Sequence, residues 1–222
     1  MSIRPPHFDR EEREVEFARA LAFSDGVFAF AITLLVTTLD VPDLSGPNLG
    51  HRLWEQLYDL GPRFGTFFLS FAVIGLLWLR HHRLLSRVRR LDTRALVLNL
   101  ALLAFIVLMP FSTELMGRYG DTAIAVTAYA LNISLEATAF AVLWWYCAQR
   151  GMLGETLTPA QLRSELLLRA VIPAVFLCSI LLAFLVSPMV AALSWLLSIP
   201  GQGLLERRLV ARGELPSGEA LD

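Results

Sequence analysis

Few ionisable or strongly polar side chains interrupt the long apolar stretches of this sequence, and most of them fall into two groups. The first is Arg19, Ser24 and Asp25, which other stretches complement with Trp78, His81, His82 and Asn99. A carboxylate beside an imidazole can act as a general acid and base or as a proton relay, because histidine titrates near neutrality. The same donors and acceptors can also satisfy one another as a scaffold. No activated nucleophile, metal-ligand spacing or phosphate-cradling glycine loop accompanies them, so a structural network is the expected role. The second group is a line along one helix: Phe30, Thr33 or Leu34, Thr37 and Asp40, apolar at first, then hydroxyl-bearing, then acidic. Repeated around an axis, that line gives an apolar constriction at Phe30 and Leu34, threonine oxygens above it and an acidic outer mouth at Asp40. Hydrophobic constrictions gate by dewetting and acidic rings gather cations. Plain packing of the apolar members against neighbouring helices is the competing account.

Both groups need helices to position them. At about 100° per residue Phe30 lies some 140° round from Asp25, so the two groups occupy different faces of one helix. The chain has 222 residues, 55% hydrophobic and only 18% charged, and the charges collect between apolar runs. About 20 helical residues cross a hydrocarbon core. The runs predict six membrane helices, at about 17–39, 62–80, 95–116, 122–149, 167–186 and 188–205, forming a single domain over 1–222. The last two come from one uncharged run, 170–205, which Ser187-Pro188 divides into a hairpin. The runs lack the period-two alternation of a membrane barrel. The expected fold class is therefore an all-α integral membrane protein.

Arginine placement tests that count. All 19 basic residues are arginines, and only Arg52, Arg63 and Arg118 fall in alternate connections. The remainder precede the first helix, fill the second and fourth connections, or follow the last helix. Cytoplasmic loops retain positive charge, so both termini are expected to be cytoplasmic. That topology gives Asp25, Trp78, His81, His82 and Asn99 one common depth. The lack of lysine excludes Schiff-base and P-loop chemistry. The near balance of 20 acidic and 19 basic residues gives no footing for a nucleic-acid partner. Cys147 and Cys178 have no spacing for a disulfide framework or a metal, and no cofactor is expected. In the first outer connection Leu49, Leu53, Leu57 and Leu60, with Trp54 and Tyr58, predict a short surface helix or an early start to the second span. Glu136 stands alone in the fourth span, and its bland reading is a neutral acid facing a helix contact.

The segment RALAFSDGVFAFAITLLVTTLDVP resembles the first helix of the transmembrane protein 175 family of potassium channels, whose signature is an arginine, three variable residues and Phe-Ser-Asp. Here these are Arg19, Phe23, Ser24 and Asp25. The likeness continues through Trp78, His81, His82 and Asn99 in SFAVIGLLWLRHHRLLSRVRRLDTRALVLNLALLAFIVLMPFSTELMGRYG, and more weakly through Tyr129 and Asn132. It covers about the first 135 residues.

The resemblance implies a channel that passes potassium, either selectively or as a weakly selective cation channel. It further implies a homotetramer in a lipid bilayer, here a bacterial inner membrane, with the first helix of each subunit lining the pore. Phe-Ser-Asp would anchor that helix, and Phe30, then Leu34 or Thr33, then Thr37 would form successive rings. The family has isoleucine or leucine at the innermost ring. Phenylalanine is larger and presents a π face, which attracts rather than excludes cations. No Thr-Val-Gly-Tyr-Gly loop is present to supply carbonyl selectivity. A proton-coupled transporter or proton pathway using Asp25, the histidines and Glu136 is the alternative, weakened by the lack of a second Phe-Ser-Asp element. An enzyme is not expected.

Overall fold

The structure, a computed structural model, describes residues 8–88, 91–154 and 157–215. The chain is built from α1 (Phe8–Leu34), α2 (Leu49–Asp59), α3 (Gly61–Arg87), α4 (Thr93–Tyr119), α5 (Ala123–Gln149), α6 (Pro159–Leu185), α7 (Pro188–Ser194) and α8 (Ser198–Ala211). Short 3-10 segments extend α1 over Leu35–Thr38 and join α7 to α8 over Trp195–Leu197. Among the described residues, six stretches are long and apolar enough to cross a membrane: Val15–Thr38, Gly61–Arg87, Thr93–Tyr119, Ala123–Gln149, Pro159–Leu185 and Pro188–Ala211. An isolated antiparallel bridge pairs Val88 with Leu153 beside the arginine-rich ends of the helices.

Local chemistry sets where the helices begin. Asp92 caps α4 by accepting the Ala95 N–H at 2.8 Å, and its other oxygen accepts the Tyr146 hydroxyl at 2.7 Å. Those two bonds, the amide first, hold the Asp92 carboxyl below the ordinary aspartate range. Thr158 and Gln161 form a reciprocal capping box with Pro159 in the first turn, so α6 starts about two turns before the helix expected from residue 167. Ser187 caps α7 and Pro188 opens it, which places the hairpin between the last two spans where the Ser-Pro pair predicts it.

The Leu49, Leu53, Leu57 and Leu60 stripe of the first outer connection resolves into α2, which contains no buried residue and joins α3 directly through Leu60. Its exposed Leu53, Trp54 and Tyr58 sit at the level where the second span begins.

Burial is uneven. Over half of the apolar window of the fourth span is enclosed, against roughly a fifth for the first and a tenth for the last. α5 packs most extensively on α4 and α6, and α1 rests on α3 and α4. Tyr129 of α5 is fully buried, stacks on Trp195 at 5.1 Å and shares a hydrogen bond of 3.0 Å with Ser70. Thr113 donates to the same Ser70 oxygen at 2.7 Å. Trp195 stacks in turn on Phe176 and donates its indole N–H to Ser179. This chain of aromatic and hydroxyl groups ties α3 and α4 through α5 to α6 and the last span.

Candidate functional site

One face of α1 is enclosed. Ser24, Phe28, Ala31, Leu35 and Thr38, at intervals of three and four, are buried against α3 and α4. At the arginine-rich end, Asn99 Nδ2 donates to Ser24 Oγ at 2.9 Å, and Ser24 Oγ donates to the Ala20 carbonyl at 2.9 Å. Asn99 Oδ1 lies 2.7 Å from His81 Nε2. A carbonyl oxygen only accepts, so Ala20 fixes the direction of the whole chain: His81 donates to Asn99, Asn99 to Ser24, and Ser24 to the backbone. Beside it, Trp78 Nε1 donates to Asp25 Oδ1 at 2.9 Å, and the Phe28 ring lies 5.2 Å from that of His81. Every donor in the chain runs toward a peptide carbonyl, and the arrangement joins three helices.

Two of the expected members stand apart from this network. Arg19 is exposed and makes no hydrogen bond or ion pair among the described residues, because five helical steps turn it well away from Ser24. His82 is exposed as well, with its ring 5.6 Å from that of Trp78. Phe23 of the signature is 56% exposed and belongs to the opposite face.

That opposite face is open along its length. Phe30 is 60% exposed, Gly26, Ala29, Thr33 and Thr37 are exposed, and Leu34 is half-buried. Thr33 donates its hydroxyl to the Phe30 carbonyl at 2.9 Å, and Thr37 donates to the Leu34 carbonyl at 2.7 Å. With the hydroxyl proton engaged, each oxygen presents only lone pairs outward. The face therefore offers an aromatic ring followed by two acceptor oxygens. That sequence of groups suits partial dehydration and then coordination of a cation.

Asp40 departs from the straight line expected for it. α1 gives way to a 3-10 turn at Leu35, and Leu39 is extended with φ −102° and ψ 97°. The carboxylate turns onto the neighbouring spans, where Arg63 Nη1 and Arg118 Nη2 both donate to Asp40 Oδ2 at 3.0 Å. Arg118 also pairs with Glu114 at 2.6 Å. In the sequence these arginines serve only to mark topology, and nothing in their spacing links them to Asp40. The buried cluster of Ser70, Thr113 and Tyr129 was equally hidden, since each member sits alone in its own helix. Glu136 lies at the middle of α5, fully buried, with neither carboxyl oxygen hydrogen-bonded among the described residues.

Comparisons with known proteins bear on this geometry. Residues 19–110 match the sequence model of the family described as endosomal/lysosomal potassium channel TMEM175. A potassium channel of Streptomyces collinus is 39% identical over 142 residues, covering 62% of this chain and 68% of that protein. The human endosomal/lysosomal proton channel TMEM175 is 35% identical over 178 residues, which are 75% of this chain but only 35% of that protein. The crystal structure of a lysosomal potassium-selective channel TMEM175 homologue from Chamaesiphon minutus matches with a TM-score of 0.70 at 30% identity. That match takes in 86% of this chain and 97% of the other. The likeness thus extends from the anchored first helix to the six-helix architecture, and the chain belongs to the TMEM175 family of ion channels.

Proposed function

We propose that this chain is the subunit of a potassium-conducting channel in which four copies place the open face of α1 around a common axis. The observation that carries this reading is the division of α1 into a face packed on α3 and α4 and a face bearing Phe30, Thr33 and Thr37 that stays exposed among the described residues. One copy of a helix cannot enclose an ion, so the open face needs further copies. Phe30 then forms a dewetted constriction, and the threonine oxygens form a coordinating zone outward from it. The ligation of Ser24 and Asp25 keeps the helix turned with that face inward. The arginine-rich ends lie in the cytoplasm of a bacterial cell, with the channel in its inner membrane. No prosthetic group takes part, and potassium is the permeant ion.

Liposomes loaded with potassium or sodium and containing the purified assembly test this function. Phe30→Ala is expected to raise cation leak by about tenfold, a barrier lower by about 1.4 kcal/mol, and to narrow the difference between the two ions. Asp25→Ala is expected to lower the yield of assembled protein before it alters permeation. Unchanged flux in a correctly assembled Phe30→Ala protein refutes the constriction.

A further inference from the structure

The outer end of α1 carries a second anchor whose chemistry differs from the first. Asp40 Oδ2 accepts from Arg63, in the first turn of α3, and from Arg118, in the last turn of α4, each at 3.0 Å. Arg63 lies along α4, since a Cβ added at Gly117 would stand 3.6 Å from its Cγ. Glu114, one turn before Arg118, takes up the second charge. Two carboxylates and two guanidinium groups thus pair one for one, with Asp59 lining the same cleft as Asp40 and Arg63. The partners on both sides are the same two helices that hold Ser24 and Asp25 at the other end, where Trp78 and His81 come from α3 and Asn99 from α4. α1 is fastened at both ends to one pair of helices, by side-chain hydrogen bonds at one and by ion pairs at the other.

We propose that Asp40, Arg63 and Arg118 are positioning residues: a charge-compensated clamp that fixes the outer end of the pore-lining helix and keeps Asp40 from serving as a cation-concentrating ring. This inference rests on the pore reading given above. An uncompensated ring of carboxylates at a mouth raises the local cation concentration, most strongly at low salt, where charges act over about 30 Å at 0.01 M and about 3 Å at 1 M. With Asp40 engaged by two arginines, its own charge is compensated and adds no such field at the mouth. Asp40 is 56% exposed and its partners 26% and 40%, so the pairs add little to global stability and the clamp is read in permeation.

Potassium conductance of the reconstituted assembly at about 0.01 M and about 1 M salt separates the cases. Arg118→Gln leaves the cluster with a net negative charge, and its low-salt conductance is expected to rise about threefold over wild type, with the difference vanishing at high salt. Asp40→Asn combined with Arg63→Gln keeps the charge balanced but cuts the clamp. Its conductance should follow wild-type salt dependence while its potassium-over-sodium ratio falls by about threefold, and Asp40→Glu should retain the wild-type ratio. An unchanged low-salt conductance in Arg118→Gln overturns the charge balance, and an unchanged ion ratio in the double variant overturns the positioning. Thiol reagents on Phe30→Cys, with wild type as the control for its native cysteines, report the pore separately. If they block flux while the clamp variants are silent, only the clamp fails; if they leave flux untouched, the pore reading fails with it.

Discussion

Removing the Asn99 side chain tests whether the inner network holds the first span in place. Asn99 is 3% exposed; it accepts from His81 at 2.7 Å and donates to Ser24 at 2.9 Å. Interhelical hydrogen bonds in membranes average about 0.6 kcal/mol and reach about 1.7 kcal/mol. Two of them therefore amount to about 1–3 kcal/mol. Asn99→Ala also strands the His81 Nε2–H in a buried setting, which adds about 1 kcal/mol or more. Ser24 keeps its bond to Ala20, so its loss is smaller. A total of about 2–4 kcal/mol follows, and 2 kcal/mol alone is about a 30-fold change in the unfolding equilibrium. The assay is reversible unfolding in mixed micelles by detergent titration, with Ser86→Ala as control. Ser86 is exposed and bonds only its own helix, at Arg83. A loss in Asn99→Ala within about 0.5 kcal/mol of the control, or no coupling between Asn99→Ala and His81→Ala in a double-mutant cycle, refutes the anchoring role.

Two further outcomes are expected. Asp92 accepts from Ala95 and Tyr146, and its carboxyl is held below the ordinary range. It therefore stabilises the fold above the unfolded-state pKa of about 3.9 and loses that contribution as pH falls through its lower folded value. The midpoint of thermal unfolding should thus decline more steeply with acid in wild type than in Asp92→Asn; parallel curves contradict this. Glu136 buries two carboxyl oxygens without hydrogen bonds among the described residues. Glu136→Leu, of similar volume, should raise stability by about 1–3 kcal/mol in the same detergent titration. A loss of stability instead means that the carboxyl has a stabilising role beyond packing.

Hydropathy made the six spans legible because lipid demands long uncharged helices, and Ser187-Pro188 marked the final hairpin through backbone chemistry alone. The start of α6 was not legible from hydropathy, since Arg163, Glu165 and Arg169 ride on a helix whose boundary is set by the Thr158 capping box. Depth reasoning selected Ser24, Asp25, Trp78, His81, His82 and Asn99 because helices of fixed rise meet at predictable levels, and of the two histidines His81 is the one that reaches Asn99. Depth alone does not give azimuth, which is why Arg19 looked like a member of the same group. Asp40 was misplaced for a related reason: the helical wheel assumes uniform winding, and α1 changes its winding before reaching Asp40.

The tighter turn at Leu35–Thr38 also sets the dimensions of the wall that α1 presents. A 3-10 segment rises about 2.0 Å per residue against about 1.5 Å in the wider winding, so these four residues stand about 2 Å taller than α-helix would. Each also advances about 20° further, which swings Thr37 by about 60° relative to Phe30. With both ends of the span tethered, the winding of this one segment fixes both the height of the wall and the direction in which its hydroxyl oxygen points.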